Sequence, residues 1–111
     1  IDDVVPDDPE GADLLVLGWG STYGAITGAA RRIRRRGGRV ACAHLRYLNP
    51  LPRNTGELLR SYEKVLVPEN NTGQLWRIVR AEFLVDALRY NKVEGLPIFA
   101  EELDEVITAH L

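Results

Sequence analysis

Asp13-Leu14-Leu15-Val16-Leu17-Gly18-Trp19-Gly20-Ser21-Thr22-Tyr23-Gly24-Ala25-Ile26 is the stretch on which the fold turns. Its first half, Asp13 to Gly18, is a continuous apolar run of strand length that closes on glycine, the pattern of a parallel strand buried on both faces. Gly18 to Gly24 is a glycine-rich turn with Ser21 and Thr22 as candidate helix caps, after which Ala25, Ile26, Ala29, Ala30 and Ile33 follow at helical spacing. Arg31, Arg32, Arg34, Arg35 and Arg36 then precede Gly37-Gly38, placing cations at the negative end of the helix macrodipole and glycine at its C-cap. Arg39 to Leu45 is again apolar on both faces. Strand, crossover helix and strand therefore make a βαβ unit with parallel strands.

Ile1 to Gly11 holds five acids, two prolines and one glycine, the composition of a linker or at most a short edge strand. The expected division is a linker or remnant strand over 1–12 and one α/β domain over 13–111. Arg46 to Pro52 is a proline loop, and Asn54 or Thr55 can cap a short helix through about Tyr62 that buries Leu58 and Leu59. A third strand over Lys64 to Val67 ends at Pro68. Pro68 to Gln74 is polar loop chemistry, and Leu75, Ile78, Val79, Leu84, Val85 and Leu88 predict a helix reaching about Leu88. Arg89 to Val93 is weakly strand-like, Gly95-Leu96-Pro97 is a turn, and Ala100 to Ala109 suits a closing helix with Leu103, Val106 and Ile107 inward. Alternating strands and helices predict a three-layer α/β/α sandwich with a mainly parallel sheet of four or five strands.

The 111 residues suffice for one domain, and 45% hydrophobic against 27% charged residues supports one real core. A net charge of -2 and a pI near 5.7 offer no positive field for nucleic acid or an anionic membrane. One cysteine makes no internal disulfide, and with two histidines it cannot fill a four-ligand zinc site. No apolar run approaches the ~20 residues that span a bilayer, and the acidic start is unlike a signal peptide, so the expectation is a soluble, cytoplasmic chain. The chain has no Met and opens on Ile1, which predicts a piece of a longer protein.

Ligands of parallel sheets gather at the carboxyl ends of the strands, where three loops emerge: Gly18 to Gly24, Arg46 to Arg53 and Pro68 to Gln74. In the first, Gly18, Trp19, Gly20, Ser21 and Thr22 can form an anion cradle at a helix start. The spacing is G-x-G-x-x-x-G, however, not the dinucleotide fingerprint, and Arg46 stands where that fingerprint wants an acid. The plainer reading is a turn that needs glycine for its geometry. His44 reads as a satisfied structural histidine and Cys42 as a buried, inert thiol without a redox role. Trp19 and Tyr47 are loop-tip aromatics that either anchor a partner or pack over the rim. Glu69, Asn71 and Gln74 are a polar binding group or ordinary turn residues. The arginine cluster reads as a solvated helix end, and no nucleophile with its base or metal cluster assembles.

Four blocks carry a resemblance: Gly18-Trp19-Gly20-Ser21-Thr22-Tyr23-Gly24-Ala25-Ile26, Leu45-Arg46-Tyr47-Leu48-Asn49-Pro50-Leu51-Pro52, Val67-Pro68-Glu69-Asn70-Asn71-Thr72-Gly73-Gln74-Leu75 and Tyr90-Asn91-Lys92-Val93-Glu94-Gly95. In this order they resemble the carboxy-terminal domain of the alpha subunit of 2-oxoacid:ferredoxin oxidoreductases, the 2-oxoglutarate type in particular. Thr72 departs from the hydrophobic residue usual there. The resemblance implies a transketolase C-terminal-like domain whose first strand runs antiparallel to the rest, with Ile1 to Val5 as its remnant. It implies a parent that oxidatively decarboxylates a 2-oxoacid to its acyl-CoA with thiamine diphosphate, coenzyme A and iron-sulfur electron transfer to ferredoxin. Those cofactors would sit in the beta subunit and the amino-terminal domain of the alpha subunit. This piece would be a non-catalytic assembly module, its partners the rest of the alpha subunit and the beta subunit, with ferredoxin reached indirectly. Arg46, Tyr47 and Asn49 would then be rim contacts. An autonomous nucleotide- or coenzyme A-binding domain built on Gly18 to Thr22 is the alternative.

Overall fold

The computed structural model describes residues 2–70, 73–92 and 96–111. Its elements are β1 (Leu14–Trp19), α1 (Tyr23–Arg35, entered through a 3-10 turn at Gly20–Thr22), β2 (Ala41–Leu45), α2 (Thr55–Arg60), β3 (Lys64–Asn70), α3 (Gln74–Phe83), β4 (Leu88–Lys92) and α4 (Ala100–Thr108). The four strands are parallel in the order β2-β1-β3-β4.

Strand alternation divides the core in two. Leu14, Val16, Cys42 and Leu66 face one side and pack under α1 and α4 with Ile26, Ala29, Ala30, Ile33, Leu103 and Ile107. Leu15, Leu17, Ala43, Leu45, Val65 and Val67 face the other side, under α2 and α3 with Leu59, Leu75 and Val79. Each large aliphatic side chain sealed in this way contributes about 1.5–3 kcal/mol. The arrangement is the predicted three-layer sandwich, and β1 is apolar throughout because both its faces are covered.

The layer above Leu14 and Val16 is fastened by charge as well as by packing. Asp104 of α4 accepts from Arg32 Nε at 3.0 Å and from Arg36 NH2 at 2.5 Å. These bonds hold the Asp104 carboxyl well below the usual carboxylate range. Gly28 lets the two helices close together, since a Cβ there would stand 3.0 Å from Ala100 Cβ.

Several expectations are corrected. The helix predicted to reach Leu88 stops at Phe83, with Leu84 in the left-handed region at φ 56°. Beyond it the chain must turn to pair with β3: Trp76 Nε1 donates to the Ala87 carbonyl at 2.7 Å, and Leu88 is already opposite Leu66. The helix-like spacing of Leu84, Val85 and Leu88 is therefore coincidental. β3 does not end at Pro68 but continues to Asn70. Pairing with β1 stops at Leu66, so Pro68 has a strand partner only on the β4 side, where Tyr90 faces it. A residue without an N–H is tolerated at such a half-paired position. The short helix expected through about Tyr62 ends at Arg60.

The capping assignments also change. Thr22 Oγ1 donates back to the Trp19 carbonyl at 2.9 Å, and neither it nor Ser21 caps α1. Asn54 does not cap α2; its side chain grips the Val4 backbone instead, accepting from N–H at 2.9 Å and donating to C=O at 2.6 Å. Residues 2–5 form no strand. The antiparallel contact lies at Asp7, which exchanges both backbone hydrogen bonds with Cys42 at the outer edge of β2.

Candidate functional site

The three loops do emerge at one end of the sheet, and the first and third are tied together. Glu69, near the end of β3, is 1% exposed. Its Oε2 accepts from the Trp19 indole N–H and from the Leu75 backbone N–H, both at 2.7 Å, and its Oε1 accepts from the Trp76 N–H at 3.0 Å. A buried carboxylate needs such donors, and the free N–H groups at the start of α3 supply two of them along with the positive end of the helix dipole. Gly73, at φ 77°, sets the backbone direction that aims α3 at Glu69.

The order β2-β1-β3-β4 puts the topological switch point between β1 and β3. In open α/β sheets that crevice is the usual ligand seat. Here the Trp19 ring and the Glu69 carboxylate meet across it. Trp19 is half-buried and packs on the core that includes Leu45 and Leu59, so the exposed-anchor reading of this residue gives way to rim packing.

Gly18 is buried, and a Cβ on it would stand 2.3 Å from Ile26 Cδ1 and 2.8 Å from Thr22 Oγ1. Gly20 has φ 64° and is exposed, as is Ser21. The glycines thus serve the turn and its packing onto α1. Arg46 does not join them: it lines a groove of about 500 Å³ with Asp2, Asp3, His44, Tyr47 and Pro50, to which no residue of Gly18–Thr22 contributes. Tyr47 is 63% exposed, and Asn49, in a cis bond to Pro50, and Gln74, at the start of α3, are exposed as well. Asn71 lies outside the described residues.

His44 sits against the Gly20 backbone, in line with the satisfied histidine expected, but leaves one ring nitrogen open. Its Nδ1 is buried without a hydrogen-bond partner among the described residues, and its ring packs edge-on to Tyr23 with centroids 5.2 Å apart. Burial lowers its pKa, which keeps the ring neutral near pH 7. Cys42 is buried, with its thiol pKa raised by burial first and then by Asp7, as suits an inert group.

Sequence reading missed the partners of Trp76. Arg89 and Arg80 lie over its ring at 4.3 and 5.0 Å while its indole N–H holds the turn into β4. It also missed Glu102 of α4, which accepts from Tyr90 OH at 2.5 Å, from Lys92 Nζ at 2.6 Å and from the Phe99 N–H at 2.8 Å. Lys92 and Tyr90 pull its carboxyl down to about 2. Both clusters depend on contacts across elements, and no local spacing announces them.

The site also bears on the cofactors that the resemblance implies. A single buried cysteine cannot by itself supply the four thiolates of an iron-sulfur cluster, and no three His, Cys, Asp or Glu side chains among the described residues are placed to hold a metal ion. Among the described residues no helix is long and apolar enough to cross a membrane.

The Pyruvate:ferredoxin oxidoreductase core domain II family matches residues 12–97. The chain is 53% identical, over its whole length, to 2-oxoglutarate oxidoreductase subunit KorA of Mycobacterium tuberculosis, covering 17% of that protein. It is 36% identical over 86% of its length to 2-oxoacid:ferredoxin oxidoreductase 1, subunit alpha, of Aeropyrum pernix, covering 16% of it. Among solved structures it superposes on 2-oxoglutarate:ferredoxin oxidoreductase from Magnetococcus marinus, a complex with 2-oxoglutarate, coenzyme A and succinyl-CoA bound. The TM-score is 0.88 at 29% identity, over 98% of this chain and 20% of that one. A split-gene transketolase, an inactive β4 tetramer, matches at TM-score 0.68 and 15% identity over 95% of this chain and 40% of that chain, a likeness of fold alone. The fold is thus transketolase C-terminal-like, and the chain spans about a sixth of the length of the curated relatives it matches. On the family match across most of its length, the chain belongs to the pyruvate:ferredoxin oxidoreductase core domain II family.

Proposed function

We propose that this chain is the non-catalytic assembly domain of the alpha subunit of a cytoplasmic 2-oxoacid:ferredoxin oxidoreductase whose substrate is 2-oxoglutarate. The observation that carries the reading is the Trp19–Glu69 hydrogen bond across the switch point, at 2.7 Å. It occupies the crevice in which a sheet of this topology would otherwise receive a ligand, leaving a rim suited to contact with other polypeptide. Family membership and the 53% identity to a 2-oxoglutarate oxidoreductase subunit support the parent activity.

On this reading residues 13–111 are the domain and 1–12 lead into it. The parent complex converts the 2-oxoacid to acyl-CoA using thiamine diphosphate, coenzyme A and an iron-sulfur cluster held elsewhere in the alpha and beta subunits. This domain's exposed rim, Arg46, Tyr47, Asn49 and Gln74, meets the rest of the complex. What supports the rim as an interface is its chemistry: an exposed tyrosine beside an arginine is a pairing enriched at protein contacts.

The test is made in the full-length alpha subunit co-expressed with its beta subunit. Tyr47→Glu combined with Gln74→Glu should leave the alpha subunit folded, abolish co-purification of the beta subunit and remove 2-oxoglutarate-dependent dye reduction. Normal assembly with full activity would show that the rim is not an interface. Assembly with activity toward another 2-oxoacid alone would correct the substrate.

A further inference from the structure

Of the two nitrogens of the His44 ring, Nδ1 is sealed from solvent and has no hydrogen-bond partner among the described residues. The ring projects from β2 beside Gly18, its register partner on β1, and a Cβ on Gly18 would stand 3.4 Å from Nδ1. Its other neighbours are the Gly20 backbone and the Tyr23 ring, edge-on with centroids 5.2 Å apart. His44 thus supports the turn from Gly18 to Tyr23, which holds Trp19 against Glu69 and leads into α1.

A neutral imidazole fits this seat and an imidazolium does not. The cation carries a donor on both nitrogens. Here the ring lies against glycine backbone and the start of α1, where neither a capping side chain nor an acid in the first turn offsets the positive end of the helix dipole. The titratable and charged groups around it are Tyr23 of α1, Cys42 on its own strand, Arg46 in the loop that follows, and Asp2, Asp3 and Asp7 of the leading segment. β1 brings only Gly18. Among the described residues none of these groups forms an ion pair with His44, and Asp7 is committed to Arg34. Asp2 and Asp3 border the groove of about 500 Å³ that His44 also lines, in company with Arg46. The acids that would answer a charged ring are therefore reached only when it leaves Tyr23, and the arginine offsets part of their pull.

We propose that His44 is an acid-sensitive latch on the turn from Gly18 to Tyr23: neutral, its ring keeps the turn closed, and protonated, it swings into the groove of Asp2 and Asp3 and lets the turn open. Burial, opposed by the Gly20 backbone, holds the pKa of the closed state below 6.5. A ring released into the groove takes up its proton more readily. The closed state binds fewer protons than the open one, so opening should grow by up to about tenfold for each pH unit below 6.5, until the closed state itself titrates. Opening frees Trp19, the side chain through which this turn reaches the Glu69 clamp. The latch acts above the ordinary carboxylate range near 4.5, below which Glu102 and Asp104 respond, so the two acid effects separate. It is a property of the chain by itself and does not depend on the rim's part in assembly.

NMR of the chain between about pH 8 and 5 tests it, with His110→Gln to tell the two histidines apart. The His44 ring should titrate below 6.5. Over the same range the protection of the Trp19 indole N–H against solvent exchange, corrected for the intrinsic pH dependence of exchange, should fall at least about tenfold. In His44→Gln, which takes up no proton, that protection should stay constant, with circular dichroism to confirm the fold. A His44 ring that titrates at 6.5 or above, an indole whose protection is unchanged while the ring titrates, or an equal loss in His44→Gln overturns the proposal. The first two outcomes are read in a chain that keeps His44, so they decide the matter even where the glutamine variant fails to fold.

Discussion

The indole N–H of Trp19 donates to a carboxylate oxygen of Glu69 at 2.7 Å, and the same oxygen accepts the Leu75 N–H at the start of α3. One buried acid thus ties the end of β1, the end of β3 and the first turn of α3 into one unit. Glu69→Ala would leave three donors, those of Trp19, Leu75 and Trp76, without their acceptor in or near the core. The expected loss is about 2–4 kcal/mol of folding stability, read from urea unfolding. Glu69→Gln retains one acceptor oxygen and should cost about half as much. A loss below ~0.5 kcal/mol for the alanine variant would mean that the clamp is not stabilising.

Asp104 joins α4 to two arginines of α1 and is itself buried. Asp104→Asn should destabilise by about 2–4 kcal/mol, because it leaves Arg32 and Arg36 facing each other without their shared counter-charge. Thermal unfolding should register this as a fall in Tm of order 10 °C. Arg36→Ala alone, on the exposed side of the cluster, should cost less.

Acid should loosen α4. Glu102 is held down to about 2 by Lys92 and Tyr90, and Asp104 is held low by Arg36 and Arg32. Both bind protons less readily folded than unfolded, so their contribution is fully present above the ordinary carboxylate range near pH 4.5; that of Glu102 is lost as the pH falls through about 2, and that of Asp104 only in stronger acid. Urea midpoints should therefore drop across that window. In Glu102→Gln the drop should be shallower, and an unchanged profile would remove Glu102 as a contributor.

Leu84 is 87% exposed in a left-handed conformation, φ 56°. An L side chain there costs about 1–2 kcal/mol, of which glycine's greater unfolded-state freedom returns roughly half. Leu84→Gly should raise stability by up to about 1 kcal/mol in chemical denaturation. Destabilisation would show that the leucine makes contacts that outweigh its backbone cost.

Gly18 packs against α1 with no room for a methyl group: Ile26 Cδ1 and Thr22 Oγ1 occupy it. Gly18→Ala should cost about 1–3 kcal/mol. Shortening the obstructing chain with Ile26→Val should recover part of the loss, so the double variant should be more stable than the two single changes sum to. Strict additivity would place the strain elsewhere.

The layers of this protein are legible in local pattern. Leu14 to Leu17 are apolar at every position and Ala41 to Leu45 at every position but His44, because both sheet faces are covered, and Ile26, Ala29, Ala30 and Ile33 keep one helical stripe. These patterns are local and periodic, so they can be read without knowing what lies opposite. The rest follows from how the layers pack. Packing ended α3 at Phe83 because β3 needed a partner strand, and it turned Asn54 from a helix cap into a clamp on Val4. It also drew Glu69 to Trp19 across fifty residues of chain. Such choices are settled by which buried donor finds which acceptor once the layers close, and that competition among distant groups has no period for a sequence to display.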